Sequence, residues 1–78
     1  MARLNRALAL YRLQRYAEAA RLLEERNRGE GPVLKARSAF NLGNCRYRLG
    51  DREGARKGYI EAIGAAARPV QALSLIHI

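Results

Sequence analysis

The chain contains no Trp and no Thr, one Cys, one His, two Pro and only two Ser. A single Cys excludes an internal disulfide, so no disulfide framework holds the fold. With one Cys and one His there is no cluster of metal-ligand spacing. Enzyme sites need convergent polar groups, and the lone His77, Ser38 and Ser74 do not supply them. We therefore expect no catalysis, no cofactor, no metal and no small-molecule substrate. No apolar run approaches the ~20 residues that span a bilayer. Arg3, Arg6, Arg12 and Arg15 interrupt the first fifteen positions and leave no signal-peptide apolar stretch. Aromatic residues are 6% of the chain. A core must therefore come from Leu, Ala, Ile and Tyr, a set that suits close-packed helices.

The 78 residues, 49% hydrophobic, allow one small folded domain. Fifteen Lys and Arg stand against seven Asp and Glu, a formal charge of +8. Thirteen of the fifteen are Arg, and the accompanying abundance of Ala suggests GC-rich codons as the reason for Arg over Lys. Codon choice does not explain the sign. The excess lies in the first two thirds and is densest around Lys35, Arg37, Arg46 and Arg48. Such a surface can bind nucleic acid, an anionic membrane or an acidic partner. It can equally be a solvated helical face.

Apolar spacing predicts four helices. The first covers about residues 3–13, through Leu4, Ala7, Leu8, Leu10 and Tyr11. After a break at Gln14-Arg15, the second runs over about 16–26 with Ala19, Ala20, Leu22 and Leu23, supported by a Glu18–Arg21 pair. Residues 27–32, Asn-Arg-Gly-Glu-Gly-Pro, form a breaker cluster and a loop. Pro32 suits the first turn of a third helix over about 33–49. On it Ala39, Leu42, Gly43 and Arg46 lie along one side, and Arg37, Phe40, Asn44 and Tyr47 along another. Gly50 is a C-terminal cap and Asp51 an N-cap. The fourth helix then runs to about Ala67, with Ala55, Tyr59, Ala62 and Ile63 on its apolar side, and Pro69 ends it. Gly54, Gly58 and Gly64 each cost about 1 kcal/mol relative to Ala, which makes it the loosest of the four. Cys45 is read as a small buried residue rather than a nucleophile.

A shift of 36 residues lays Tyr11-Arg12-Leu13 on Tyr47-Arg48-Leu49, Asn5 on Asn41, Ala19 on Ala55 and Glu25 on Glu61. Ala7 falls on Gly43, Leu4 on Phe40 and Leu23 on Tyr59. A period of this length is the mark of a helical solenoid. Through Leu42-Gly43, Leu49-Gly50-Asp51, Ala55, Tyr59, Ala62 and Pro69, the second unit resembles a tetratricopeptide repeat. The first unit matches more weakly through Ala7, Leu13, Tyr16, Ala19 and Leu23, with Arg26 where the second has Ala62. Arg46 departs from the aromatic usual in the family. The period of 36 rather than 34 fits an extra two residues in the 27–32 loop, and also fits the related Sel1-like class.

The resemblance implies an all-α fold: two helix-turn-helix hairpins, 3–27 and 33–69, stacked as a short α-solenoid fragment. It implies a protein–protein interaction scaffold that binds a peptide or partner, with acidic ones among the candidates, in a concave groove lined by the first helix of each hairpin. Those groove positions are Leu4, Leu8, Tyr11, Arg12, Arg37, Phe40, Asn44, Tyr47 and Arg48. Tyr and Arg are enriched at binding hot spots, and Asn44 has both a donor and an acceptor for a peptide backbone. Leu4 and Leu8 stand where family members that clamp a C-terminal carboxylate need polar residues, so that specificity is not expected. The alternative is a basic helical-repeat module that binds nucleic acid. A cytoplasmic location is the expectation.

Residues 70–78 are read as a tail. Its last six, Leu-Ser-Leu-Ile-His-Ile at 73–78, resemble the translation of a sequencing-adaptor end, which would make the chain a piece of a longer repeat protein. On that reading the outer face of the fourth helix, with Tyr59, Ile63 and Ala65–Ala67, lacks the helix that would cover it. The chain alone should then be marginally stable or self-associating.

Overall fold

The structure, a computed structural model, describes the backbone of residues 2–25 and 31–77 and the side chains of residues 3–25 and 31–66. Within these, the chain is all helical: α1 (Ala2–Arg12), α2 (Tyr16–Glu24), α3 (Pro32–Arg48) and α4 (Arg52–His77). Most of the expected 27–32 loop lies outside the described residues, as does Arg26.

The turn within each hairpin has one geometry. In the second, the Gly50 N–H donates to the Tyr47 carbonyl at 3.1 Å and the Asp51 N–H to the Arg46 carbonyl at 2.8 Å. In the first, the Gln14 N–H donates to Tyr11 at 2.9 Å and the Arg15 N–H to Leu10 at 2.9 Å. Both are Schellman closures, which satisfy carbonyls left open at a helix end. Both need a left-handed residue: Gly50 has φ +85° and Gln14 φ +62°. The two positions are 36 residues apart, so the sequence period has a backbone counterpart. Glycine takes this conformation freely, whereas Gln14 takes it at a cost.

The helix starts differ. The Asp51 carboxylate accepts the Gly54 N–H at 2.9 Å and caps α4. Arg15 caps α2 with no side chain. Instead its guanidinium forms a two-pronged pair with Glu18, at 2.7 and 2.9 Å. Glu18 thus pairs backward with Arg15 and not forward with Arg21, because the fork of Arg15 meets both carboxylate oxygens across the first turn. Pro32 opens α3 as expected. Pro69 does not end α4, which continues to His77. A proline in a helix interior forfeits one backbone bond at about 3 kcal/mol. Here strong helix formers flank it, Ala65–Ala67 before and Ala72 and Leu73 after.

Helices pack on their neighbours in sequence. α1 packs on α2, α2 on α3 and α3 on α4, with a lighter contact between α1 and α3. Among the described residues α4 meets α3 alone, so the four helices do not close into a bundle. The main core joins Leu4 and Ala7 of α1, Ala19, Ala20 and Leu23 of α2, and Leu42 and Cys45 of α3. Each Leu buried there contributes about 1.5–3 kcal/mol. α4 is held by smaller groups. Ala39, Ala55 and Ala62 are buried, and Gly43 meets Gly58 where the helices cross. A Cβ on Gly58 would stand 2.9 Å from the Gly43 Cα and 3.1 Å from the Ala39 carbonyl oxygen.

Candidate interaction surface

α1 and α3 hold all nine positions of the expected groove, and the structure divides them. Leu4 is only 5% exposed and belongs to the core, so it cannot line an open groove. It packs in the cluster that joins α1, α2 and α3. Leu8 and Tyr11 are half-buried against the same core. Arg12 and Arg37 are exposed. Phe40 and Tyr47 are 52% and 62% exposed.

Two contacts organise the aromatic side chains. Arg48 Nε donates to the Tyr11 hydroxyl at 3.1 Å, tying the end of α3 to the end of α1. That bond, together with the neighbouring Tyr11, Tyr16 and Tyr47, strengthens the hold of the guanidinium on its proton. Tyr11 also meets Tyr16 edge-on, with ring centroids 5.1 Å apart. The second contact joins α3 to α4. The Tyr59 hydroxyl donates to Asn44 Oδ1 at 2.6 Å, and its ring tilts against Phe40 at 5.6 Å. One of the two lone pairs of the Asn44 oxygen is thereby engaged within the molecule.

Tyr59 therefore folds back onto its own hairpin. Its ring lies over Gly43, where a Cβ would come within 2.9 Å of it. Beyond it opens a shallow surface between α3 and α4, lined almost entirely by apolar atoms of Ala36, Phe40, Tyr59, Ala62 and Ile63. Tyr59 and Ile63 continue it into a second hollow with Tyr47 and Ile60, edged by Arg52 and Arg56. Ile60 and Ile63 are 54% and 69% exposed.

Sequence reasoning missed Arg46. Its Nη2 reaches Glu24 of α2 at 3.0 Å, and its stem lies beside Gly54 of α4. One side chain thus touches the helices on both sides of α3. The partners are 22 residues apart in sequence, and no local pattern signals the pair.

Cys45 is fully buried, and that burial pushes its thiol up from the ordinary value. A thiol so placed is a packing group rather than a nucleophile. Among the described residues no cluster of His, Cys, Asp and Glu could hold a metal ion, and no helix is long and apolar enough to cross a membrane. No family model, curated protein or solved structure matches the chain.

Proposed function

We propose that the chain is a protein-interaction scaffold of tetratricopeptide type. It binds an extended acidic peptide or protein segment along α1 and α3 and carries no chemistry of its own. The observation that supports this most is the 36-residue correspondence of the two turns, which sets Tyr11-Arg12 of one hairpin in register with Tyr47-Arg48 of the next. The exposed Arg12, Arg37 and Arg48 give such a surface its preference for carboxylates.

Selection from a displayed peptide library, followed by titration of the winners, tests the reading. Acidic peptides should emerge, and Arg12→Ala with Arg37→Ala should weaken them about tenfold, roughly 1.4 kcal/mol. A parallel titration with a single-stranded RNA separates the nucleic-acid alternative. Tight RNA binding that falls with salt at a log–log slope of several units would replace the scaffold reading.

A further inference from the structure

Arg12 and Arg48 occupy equivalent positions one period apart, yet the fold treats them differently. Arg12 is exposed and makes no side-chain hydrogen bond among the described residues. Arg48 is exposed as well, but its Nε is fixed on the Tyr11 hydroxyl at 3.1 Å. Tyr11 in turn is braced edge-on by Tyr16 at 5.1 Å. The side chains that bear on the Arg48 charge are Tyr11, Tyr16 and Tyr47, with no carboxylate among them. Arg15, Arg46 and Arg56, by contrast, each hold a glutamate. α1 and α3 contain no Asp or Glu at all. The carbonyls at the end of α3 are taken too, since the Leu49, Gly50 and Asp51 N–H groups close on Cys45, Tyr47 and Arg46.

The bonds made inside the molecule therefore leave an excess of donors at this point. With Nε engaged, the N–H groups of the two terminal nitrogens of Arg48 remain. Tyr11 accepts from Arg48, so its own O–H remains to be donated. We infer that Arg48 is the anchor of the scaffold's groove: its two terminal nitrogens grip, two-pronged, the side-chain carboxylate of one Asp or Glu of the bound segment, with Tyr11 as the positioning residue. A planar guanidinium matches both oxygens of a carboxylate, which an ammonium cannot do. Ordering a free arginine costs side-chain entropy when a ligand arrives. The bond to Tyr11 has already restricted Arg48, so that cost is smaller there than at Arg12. Of two arginines in the same register, one is a fixed fork and the other a diffuse charge.

This deepens the scaffold reading and rests on it. The first test needs no peptide. The isotope-labelled full chain is titrated with acetate, and with chloride at the same ionic strength, while the arginine Nε–H resonances are followed. The Arg48 resonance should shift further with acetate than that of any other arginine, and should saturate. In Tyr11→Phe, which keeps the ring, Arg48 should lose this lead while the urea midpoint barely moves. The second test uses an acidic peptide from the library selection. Replacing its acidic residues one at a time should single out one position whose loss weakens binding about tenfold. Arg48→Lys, which keeps the charge and removes the fork, should weaken it as much, and both changes together no more than either alone. Arg12→Lys should weaken it less than about twofold, without such coupling. An Arg48 resonance that drifts like the rest, equal losses from Arg48→Lys and Arg12→Lys, or independent effects in the cycle overturn the proposal. So does loss of binding when the peptide C-terminus is amidated, which would put a terminal carboxylate in the site. If peptides respond to Arg12→Ala with Arg37→Ala but not to Arg48→Lys, the scaffold reading stands and the anchor falls. If no acidic peptide emerges while acetate saturates Arg48, the scaffold reading falls and the carboxylate site stands.

Discussion

Gln14 shows how much one residue can carry. It holds a left-handed conformation at the site where the second hairpin has Gly50. A non-glycine residue pays about 1–2 kcal/mol there, and glycine gives back roughly 0.5–1 kcal/mol through the entropy of the unfolded chain. Gln14→Gly should thus stabilise the protein by about 0.5–1 kcal/mol, read as a rise in the urea midpoint with unchanged slope. Cys45 and Tyr59 set the alkaline limit. Burial raises both, the thiol and the phenol, above their ordinary values. A raised value in the folded state means that the folded form holds its proton longer. Stability is then complete below the unfolded values, about 8.5 for the thiol and 10 for the phenol, and falls as pH rises past them. The urea midpoint should be flat from about pH 7 to 8 and decline as pH rises above about 8.5 and on past about 10. In Cys45→Ala the lower part of that decline should vanish.

At the scale of the element, α4 depends on glycines that are not equivalent. Gly58 is required by the backbone of Gly43, whereas an added Cβ at Gly64 would meet nothing within 4 Å. Gly58→Ala should cost about 1–3 kcal/mol through overpacking. Gly64→Ala should gain about 1 kcal/mol from helix propensity alone. Thermal melts of the two variants should move in opposite directions, and a shared direction would mean that the α3/α4 crossing is looser than described. The same helix shows what could be read from sequence. Gly50 and Asp51 announced its start, because cap chemistry is local. Pro69 announced an end that did not follow, because the cost of one lost bond competes with the propensity of its neighbours. The offset of 36 correctly paired Leu4 with Phe40 as bulky positions, yet their burial differs entirely. Burial depends on what packs beyond a residue, and a period does not contain that. Arg46 stayed hidden for a related reason, since its partner lies on another hairpin.

The whole molecule exposes 5780 Å². A compact monomer of 8.7 kDa would expose about 4,700 Å². The excess is about 1,000 Å². Some of it belongs to α4, which at 26 residues outlasts the 17 of α3. The charge acts at this scale too. A net +8 is opposed by ion pairs such as Arg15–Glu18, Arg46–Glu24 and Arg56–Glu53, most of whose side chains are exposed. Exposed pairs contribute about 0–1 kcal/mol each, less than the general repulsion they stand within. Raising salt from about 0.05 to 0.5 M should therefore raise the melting temperature, because screening relieves the repulsion more than it weakens the pairs. A lower melting temperature at high salt would show that the pairs dominate.

The order of packing, each helix on its predecessor, also governs how quickly the structure can assemble. A contact between chain neighbours closes a short loop and forfeits little entropy before it is rewarded. No step waits for α4 to find α1, because among the described residues they do not meet. The search thus reduces to closing two hairpins, each at a three-residue turn, and laying α3 onto the first. Proteins dominated by such local contacts fold in microseconds to milliseconds. Contacts that form easily one at a time can also be lost in parts, so the two hairpins need not open together.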